Sequence, residues 1–123
     1  MYLVDTWAWI DYFDRPDSKA KAFIDGDEPV KTSVITLSEI MTVFVQRGDE
    51  RTGHAVVDEI IRASEIIPVD TDVGVLSGMY DKRTIGGGIA DRLILATAEY
   101  HRLTILTGDK HFRDMQNVEF IGK

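Results

Sequence analysis

Short apolar runs alternate along this chain with segments in which hydrophobic residues recur every three or four positions. The short runs predict strands, and the periodic segments predict amphipathic helices. The predicted strands span residues 1–5, 29–33, 65–69, 103–107 and 117–121. The predicted helices span residues 6–13, 18–25, 36–47, 49–64, 72–80 and 89–101.

Strands that alternate with helices favour crossover connections, and such connections build a parallel sheet. We therefore predict an α/β fold in which a mostly parallel central sheet lies between two helical layers, as a three-layer α/β/α sandwich. The 123 residues contain no linker, internal repeat or low-complexity segment. This length suits one domain over residues 1–123.

The composition narrows the class of protein. The chain is 44% hydrophobic and 28% charged, which is typical of a soluble globular protein. It has no cysteine, which excludes disulfides and thiolate metal sites and agrees with a cytoplasmic location. No apolar run approaches the roughly 18 residues of a membrane span, and the first residues lack the basic stretch of a signal peptide. We expect no membrane association.

The net charge of −7 weighs against a general nucleic-acid binder, because such proteins are usually basic. The charge is uneven, however. Residues 1–79 have 7 Lys or Arg against 15 Asp or Glu, whereas residues 80–123 have 7 against 6. A cation bound among clustered acids would also make the local field less negative than this total suggests.

Four acidic residues are candidates for a common site: Asp5, Glu39, Asp91 and Asp109. Asp5 and Asp109 follow predicted strands, and the working site of a parallel α/β sheet lies at the carboxyl ends of its strands. Glu39 and Asp91 are placed in the first turns of predicted helices, which face the same edge.

Each of these acids also has a purely structural interpretation. Asp5 and Asp109 fit helix caps, and Asp91 suits the positive end of a helix dipole. Thr36-Leu-Ser-Glu39 matches a capping box, in which Glu39 would reach back to the start of the helix. If the four instead share one cleft, their mutual repulsion requires a cation, and their oxygen atoms suit Mg²⁺ or Mn²⁺.

Four segments together resemble the PIN-domain ribonucleases, and most closely the VapC-type toxins of toxin–antitoxin pairs. They are YLVDTWAWIDYF, TSVITLSEI, GIADRLILATAEY and ILTGDKHF, and each contains one of the four acids. The segments occur in order across nearly the whole chain. One departure is that Trp7 and Trp9 follow the opening Asp-Thr, where such toxins often have a small residue.

The resemblance implies a PIN-like fold and a metal-dependent endoribonuclease. It implies that Asp5, Glu39, Asp91 and Asp109 hold Mg²⁺ or Mn²⁺ and direct a water at an RNA phosphate. Thr6 and Thr107 would be supporting hydrogen-bond donors. It also implies a homodimer and a cognate antitoxin that blocks the cleft.

Three other functions are compatible with parts of the sequence. A PIN-like domain that binds RNA or protein without cutting is the main alternative. Asp70-Thr71-Asp72 resembles the nucleophile loop of haloacid-dehalogenase-type phosphatases, although Gly74 departs from that pattern. A receiver-like phosphoacceptor domain has a similar size, but Thr6 stands where its second acid is needed, and Asp58 is poorly placed as its phosphorylated residue.

The basic residues nearest the proposed cleft fit either solvated charge or contacts with RNA phosphates. They are Lys82, Arg83, Arg92 and Lys110. We interpret His54, His101 and His111 as surface residues rather than ligands. The IGGG segment fits a flexible loop or a close approach to phosphate at the following helix.

The first predicted helix is apolar nearly all round, which is more than one buried face requires. Val43 and Val45 also lie away from the main apolar stripe of their helix. Surplus apolar surface often marks contact with other chains. We therefore expect Trp7, Trp9, Val43 and Val45 to serve a homodimer or antitoxin interface.

Overall fold

A computed structural model describes residues 1–81 and 83–123. In these residues the strands are β1 (Tyr2–Val4), β2 (Val30–Ser33), β3 (Ser64–Ile67), β4 (Thr104–Thr107) and β5 (Val118–Phe120). The α-helices are α1 (Thr6–Asp14), α2 (Lys21–Ile24), α3 (Val34–Gln46), α4 (Glu50–Ala63), α5 (Thr71–Gly78) and α6 (Ile89–His101). A short 3₁₀ helix covers Lys110–Phe112.

The described strands form one sheet in the order β3-β2-β1-β4-β5, and every neighbouring pair is parallel. The predicted α/β class is confirmed. The sheet was predicted to be mostly parallel, and all of its described strand pairs are parallel. The chain proceeds outward from β1 through β2 to β3, and then crosses to the other side of β1 to form β4. This reversal opens a crevice beyond the carboxyl ends of β1 and β4, where ligands bind in such sheets.

Adjacent residues in the central strands point to opposite faces of the sheet, as a strand's two-residue period dictates. Leu3 and Ile105 pack with α6 residues in one buried cluster. Val4 and Leu106 belong to a second cluster, which includes residues of α1, α3 and α4. The two clusters separate the helices into a layer on each face, and this arrangement confirms the three-layer sandwich.

The start of α3 differs from the prediction and changes the interpretation of Glu39. The helix begins at Val34 because Ser33 caps it, with the Ser33 hydroxyl oxygen accepting a hydrogen bond from the Ile35 N–H at 3.1 Å. Thr36 therefore lies inside the helix, and the capping-box interpretation is wrong. Glu39 is released from any capping role.

Trp9 contradicts the expectation that the first helix supplies an intermolecular surface. Its side chain is fully buried, and its indole N–H donates to the Thr32 hydroxyl at 3.1 Å. Trp7 and Val43 are partly buried, while Val45 is 54% exposed. The apolar surplus of α1 therefore serves mainly this chain's own core. None of the described helices combines the length and the apolar character needed to cross a membrane.

Candidate active site

All four candidate acids line one cleft of about 490 Å³. Asp5 follows β1, Asp109 follows β4 after Gly108, Glu39 lies in the second turn of α3, and Asp91 lies in the first turn of α6. The crevice at the reversal of strand order thus brings together residues separated by up to about a hundred positions.

Asp5 is the most buried of the four acids, with 5% of its surface exposed. Its Oδ1 accepts from the Ala8 N–H at 3.0 Å, so Asp5 also caps α1 as its structural interpretation proposed. Its Oδ2 accepts from the Thr107 hydroxyl at 2.5 Å. Burial raises the pKa of Asp5 to about 7, even though both hydrogen bonds act to lower it. The charges of Asp109 and Glu39 add to the increase.

Glu39 is partly buried, and its Oε1 accepts a hydrogen bond from the Thr6 hydroxyl at 2.7 Å. Burial raises the pKa of Glu39, and the charges of Asp91 and Asp109 raise it further, against the lowering effect of the Thr6 bond. Thr6 therefore orients one acid from the first turn of α1, as Thr107 orients another from the end of β4.

Asp91 and Asp109 meet through His111. The Nδ1 atom of His111 lies 2.9 Å from Asp91 Oδ2 and 3.4 Å from Asp109 Oδ1. Burial raises the pKa of Asp91, the Asp109 charge raises it further, and His111 lowers it. Asp109 also accepts from the backbone N–H of His111 at 2.9 Å, so it caps the 3₁₀ helix.

Gly87 makes room for Asp91. A Cβ atom at Gly87 would lie 1.5 Å from Asp91 Oδ2, which no side chain could tolerate without movement. At Gly88 a Cβ atom would meet nothing within 4 Å. The glycine loop before α6 therefore has a specific steric role at one position, beyond the flexibility its sequence suggests.

The charge of the cleft is poorly neutralised by the protein itself. Within residues 1–81 and 83–123, the sole ion-pair partner of the four acids is His111. Burial is the main cause of the raised pKa values of Asp5, Glu39 and Asp91, and the charges of neighbouring carboxylates raise them further. Ligand atoms from Asp91, Asp109 and His111 lie within 4.8 Å of one another, which suits coordination of one ion. The donor chemistry of the cleft fits a hard divalent cation.

Comparison with known families then decides the classification. The model of the PIN domain matches residues 2–118. The chain belongs to the PIN domain family. The resemblance drawn from the four acidic segments is thereby confirmed, and no curated protein matches the chain in a sequence search.

Solved structures similar to this PIN domain include toxins of the VapC type. A toxin–antitoxin complex from Klebsiella pneumoniae has a TM-score of 0.78 at 26% identity, covering 100% of this chain and 99% of that one. VapBC2 from Rickettsia felis, bound to a promoter DNA fragment, has a TM-score of 0.79 at 16% identity, covering 97% of each chain. VapC20 from Mycobacterium tuberculosis, a sarcin–ricin loop cleaving toxin, has a TM-score of 0.74 at 20% identity, covering 91% of this chain and 92% of that one.

The alternative folds are excluded by this PIN domain's topology and family. Asp70, proposed for a phosphatase loop, caps α5 by accepting from the Val73 N–H at 3.0 Å. Asp72 accepts a hydrogen bond from the Tyr100 hydroxyl. Asp58 is exposed on α4 and does not line the acidic cleft.

The candidate RNA-contacting residues occupy different environments. The guanidinium of Arg83 is exposed and pairs with Asp81 at 3.0 Å. Arg92 is partly buried in α6, and Lys110 is exposed beside Asp109. Lys82 lies outside the described residues. Of the three described residues, Lys110 alone lines a second pocket, which adjoins the acidic cleft.

His111 is the site residue whose position the sequence interpretation missed. It is exposed, as expected, but its ring contacts two of the four acids. The available signal was its spacing, because a residue two positions after Asp109 can turn back toward it through a short helical turn. His54 and His101 are exposed in agreement with their predicted surface positions.

Proposed function

We propose that this PIN domain is a metal-dependent endoribonuclease and the toxin of a toxin–antitoxin pair. The observation that carries the proposal is the single cleft lined by Asp5, Glu39, Asp91 and Asp109 without a Lys or Arg ion-pair partner among the described residues. We further propose that residues 1–123 form a single domain that acts in the cytoplasm.

The four carboxylates would hold Mg²⁺ or Mn²⁺, and the His111 ring nitrogen is close enough to join or support them. A cation bound there would supply positive charge at the RNA phosphate and lower the pKa of a water molecule. Thr6 and Thr107 fix the orientation of Glu39 and Asp5 through their hydroxyl groups. These supports reduce the reorganisation needed when RNA binds.

Asp5 has a distinct place in this mechanism. Because burial raises its pKa to about 7, the Asp5 carboxyl of the metal-free chain would be partly protonated at neutral pH, and a bound cation would displace that proton. In its protonated form the acid avoids an unneutralised buried charge before a cation binds. Cation binding and proton release at Asp5 would be coupled.

The proposed partners follow from similar proteins. The structures from Klebsiella pneumoniae and Rickettsia felis are toxin–antitoxin assemblies, and the Mycobacterium tuberculosis protein is a sarcin–ricin loop cleaving toxin. We propose that this chain likewise takes RNA as substrate, binds a cognate antitoxin and forms a homodimer. The exposed Val45 side chain on α3 is available for such a contact.

Cleavage of a pool of structured RNAs tests the catalytic proposal. The purified chain is incubated with Mg²⁺, Mn²⁺ or EDTA, beside Asp91→Asn and the matched control Asp58→Asn, which changes an exposed acid on α4. We expect cleavage that requires metal, disappears in Asp91→Asn and persists in Asp58→Asn.

Two outcomes would contradict this proposal. Cleavage that survives Asp91→Asn would show that the acidic cleft is not the source of the activity. RNA binding without cleavage by the folded, antitoxin-free chain would instead assign the domain as a silent PIN-like binder.

A further inference from the structure

A second pocket of about 580 Å³ adjoins the acidic cleft. The two share Trp7, Asp11, Arg15 and Asp109, so they form one continuous groove. Trp7 lies at their junction. The groove therefore runs from the acidic cleft, where the RNA phosphodiester would be cleaved, into a second pocket whose lining differs in charge.

The lining of this second pocket is basic, unlike the chain as a whole. It includes five Lys or Arg residues against three Asp residues, in a chain whose net charge is −7. Lys110 has no ion-pair partner within the described ranges, 1–81 and 83–123. Arg15 is held by Asp17 at 3.5 Å and remains 56% exposed. Arg113 lies over the Phe120 ring, 4.8 Å from its centroid.

Trp7 supplies an aromatic surface at the entrance to this pocket. A Cβ atom at Gly108 would lie 2.5 Å from the Trp7 ring, so the indole packs directly on that glycine. A Cβ atom at Gly122 would lie 2.6 Å from the Gly108 carbonyl oxygen. Gly108 thus supports the ring, and Gly122 packs closely against Gly108 in turn. No hydrogen bond engages the Trp7 indole N–H among the residues that the structure describes.

We propose that this pocket binds the nucleotide next to the scissile phosphate of single-stranded RNA, with its base stacked on Trp7. An aromatic ring beside cationic side chains is the usual combination for holding unpaired nucleotides, because the ring takes any base and the cations attract the backbone. Lys110 and Arg113 contact the flanking phosphates. This inference rests on the proposed nuclease function and adds the requirement that the substrate be unpaired beside the cut.

Binding to a labelled single-stranded RNA of about 12 nucleotides tests the proposal. The full chain carries Asp91→Asn so that the RNA stays intact, and a ribose-phosphate oligomer of equal length without bases is the control probe. We expect Trp7→Ala to weaken RNA binding about 5- to 150-fold, with Trp7→Phe retaining most of the affinity. Binding of the abasic oligomer should be weak in every variant. Thermal unfolding of each variant shows whether it is folded.

Tryptophan fluorescence provides a second measurement that needs no change at Trp7. The chain has two tryptophans, and Trp9 is fully buried, so quenching by RNA reports on Trp7. We expect quenching by RNA and much less by the abasic oligomer.

Equal RNA affinity in folded Trp7→Ala, or equal quenching by both probes, would overturn the inference. Failure of the nuclease proposal is distinguishable, because it would appear as absent metal-dependent cleavage by the unaltered chain. A failure of this inference alone leaves that cleavage intact.

Discussion

The hydroxyl of Thr107 donates a hydrogen bond to Asp5 Oδ2 at 2.5 Å, joining residues 102 positions apart. The Thr107 hydroxyl oxygen in turn accepts a hydrogen bond from the Asp109 backbone N–H at 2.9 Å. One fully buried side chain therefore fixes two of the four acids at once. Thr107 also ends β4, so this link connects the sheet directly to the cleft.

We expect Thr107→Val to lower the free energy of unfolding by about 1–3 kcal/mol, because it leaves Asp5 Oδ2 and the Asp109 backbone N–H without a partner. Thr107→Ser keeps the hydroxyl and should lose less. Urea denaturation of the metal-free chain measures both variants. A larger loss in Thr107→Ser than in Thr107→Val would show that the methyl group, rather than the hydrogen bonds, accounts for the stability.

The glycine loop before α6 offers a test of geometry without changing any acid. We expect Gly87→Ala to displace Asp91, since the added methyl group would lie 1.5 Å from its Oδ2. Metal affinity and RNA cleavage should fall together in this variant. Gly88→Ala is the matched control, because its methyl group would meet nothing within 4 Å. Calorimetric titration with Mn²⁺ compares them, and an equal loss in both would remove the steric explanation.

The acids at the ends of strands were predictable from sequence, whereas their surroundings were not. Asp5 and Asp109 follow apolar runs, and parallel topology alone places both at one sheet edge. Glu39 was assigned to the correct cleft from the wrong helix start, because Ser33 competes with Thr36 as the cap and the serine prevails.

Contacts between distant side chains account for the remaining differences. Nothing in local periodicity showed that Trp9 would donate to Thr32 on β2 and so be drawn into the core. The contact of His111 with Asp91 depends on how the 3₁₀ helix is placed against α6. Such contacts depend on how the elements pack together. The sequence pattern therefore predicts a helix or strand but not the side chains that it contacts.

His111 provides a test of the ligand set. We expect His111→Ala to weaken Mn²⁺ binding about 10-fold or more, because it removes a nitrogen 2.9 Å from Asp91 Oδ2. The loss for Mg²⁺ should be smaller, since Mg²⁺ prefers oxygen ligands. Electron paramagnetic resonance of bound Mn²⁺ measures the affinity, with the exposed His101→Ala as control. Unchanged Mn²⁺ affinity in His111→Ala would place the histidine outside the metal site.

The raised pKa of Asp5 links stability to pH and to metal. Burial raises this pKa from 3.8 to about 7, while unfolding restores the lower value. Between these two values the native chain holds a proton that the unfolded chain releases. The free energy of unfolding without metal must therefore fall as pH rises through this window. The raised pKa values of Glu39 and Asp91 act in the same direction.

We expect thermal unfolding in EDTA to occur at progressively lower temperature from about pH 4 to pH 7. Hydrogen bonds lower the pKa values of Asp49 and Asp81, so these two acids make stability rise with pH. They do so below this pH window. Mg²⁺ or Mn²⁺ should reverse the loss, adding about 2.7 kcal/mol at a hundred times its dissociation constant. The reversal should be larger at about pH 8 than at pH 5, because protons compete with the cation. Stability in EDTA that stayed level or rose across the window would contradict the buried, unneutralised cleft on which the proposed function depends.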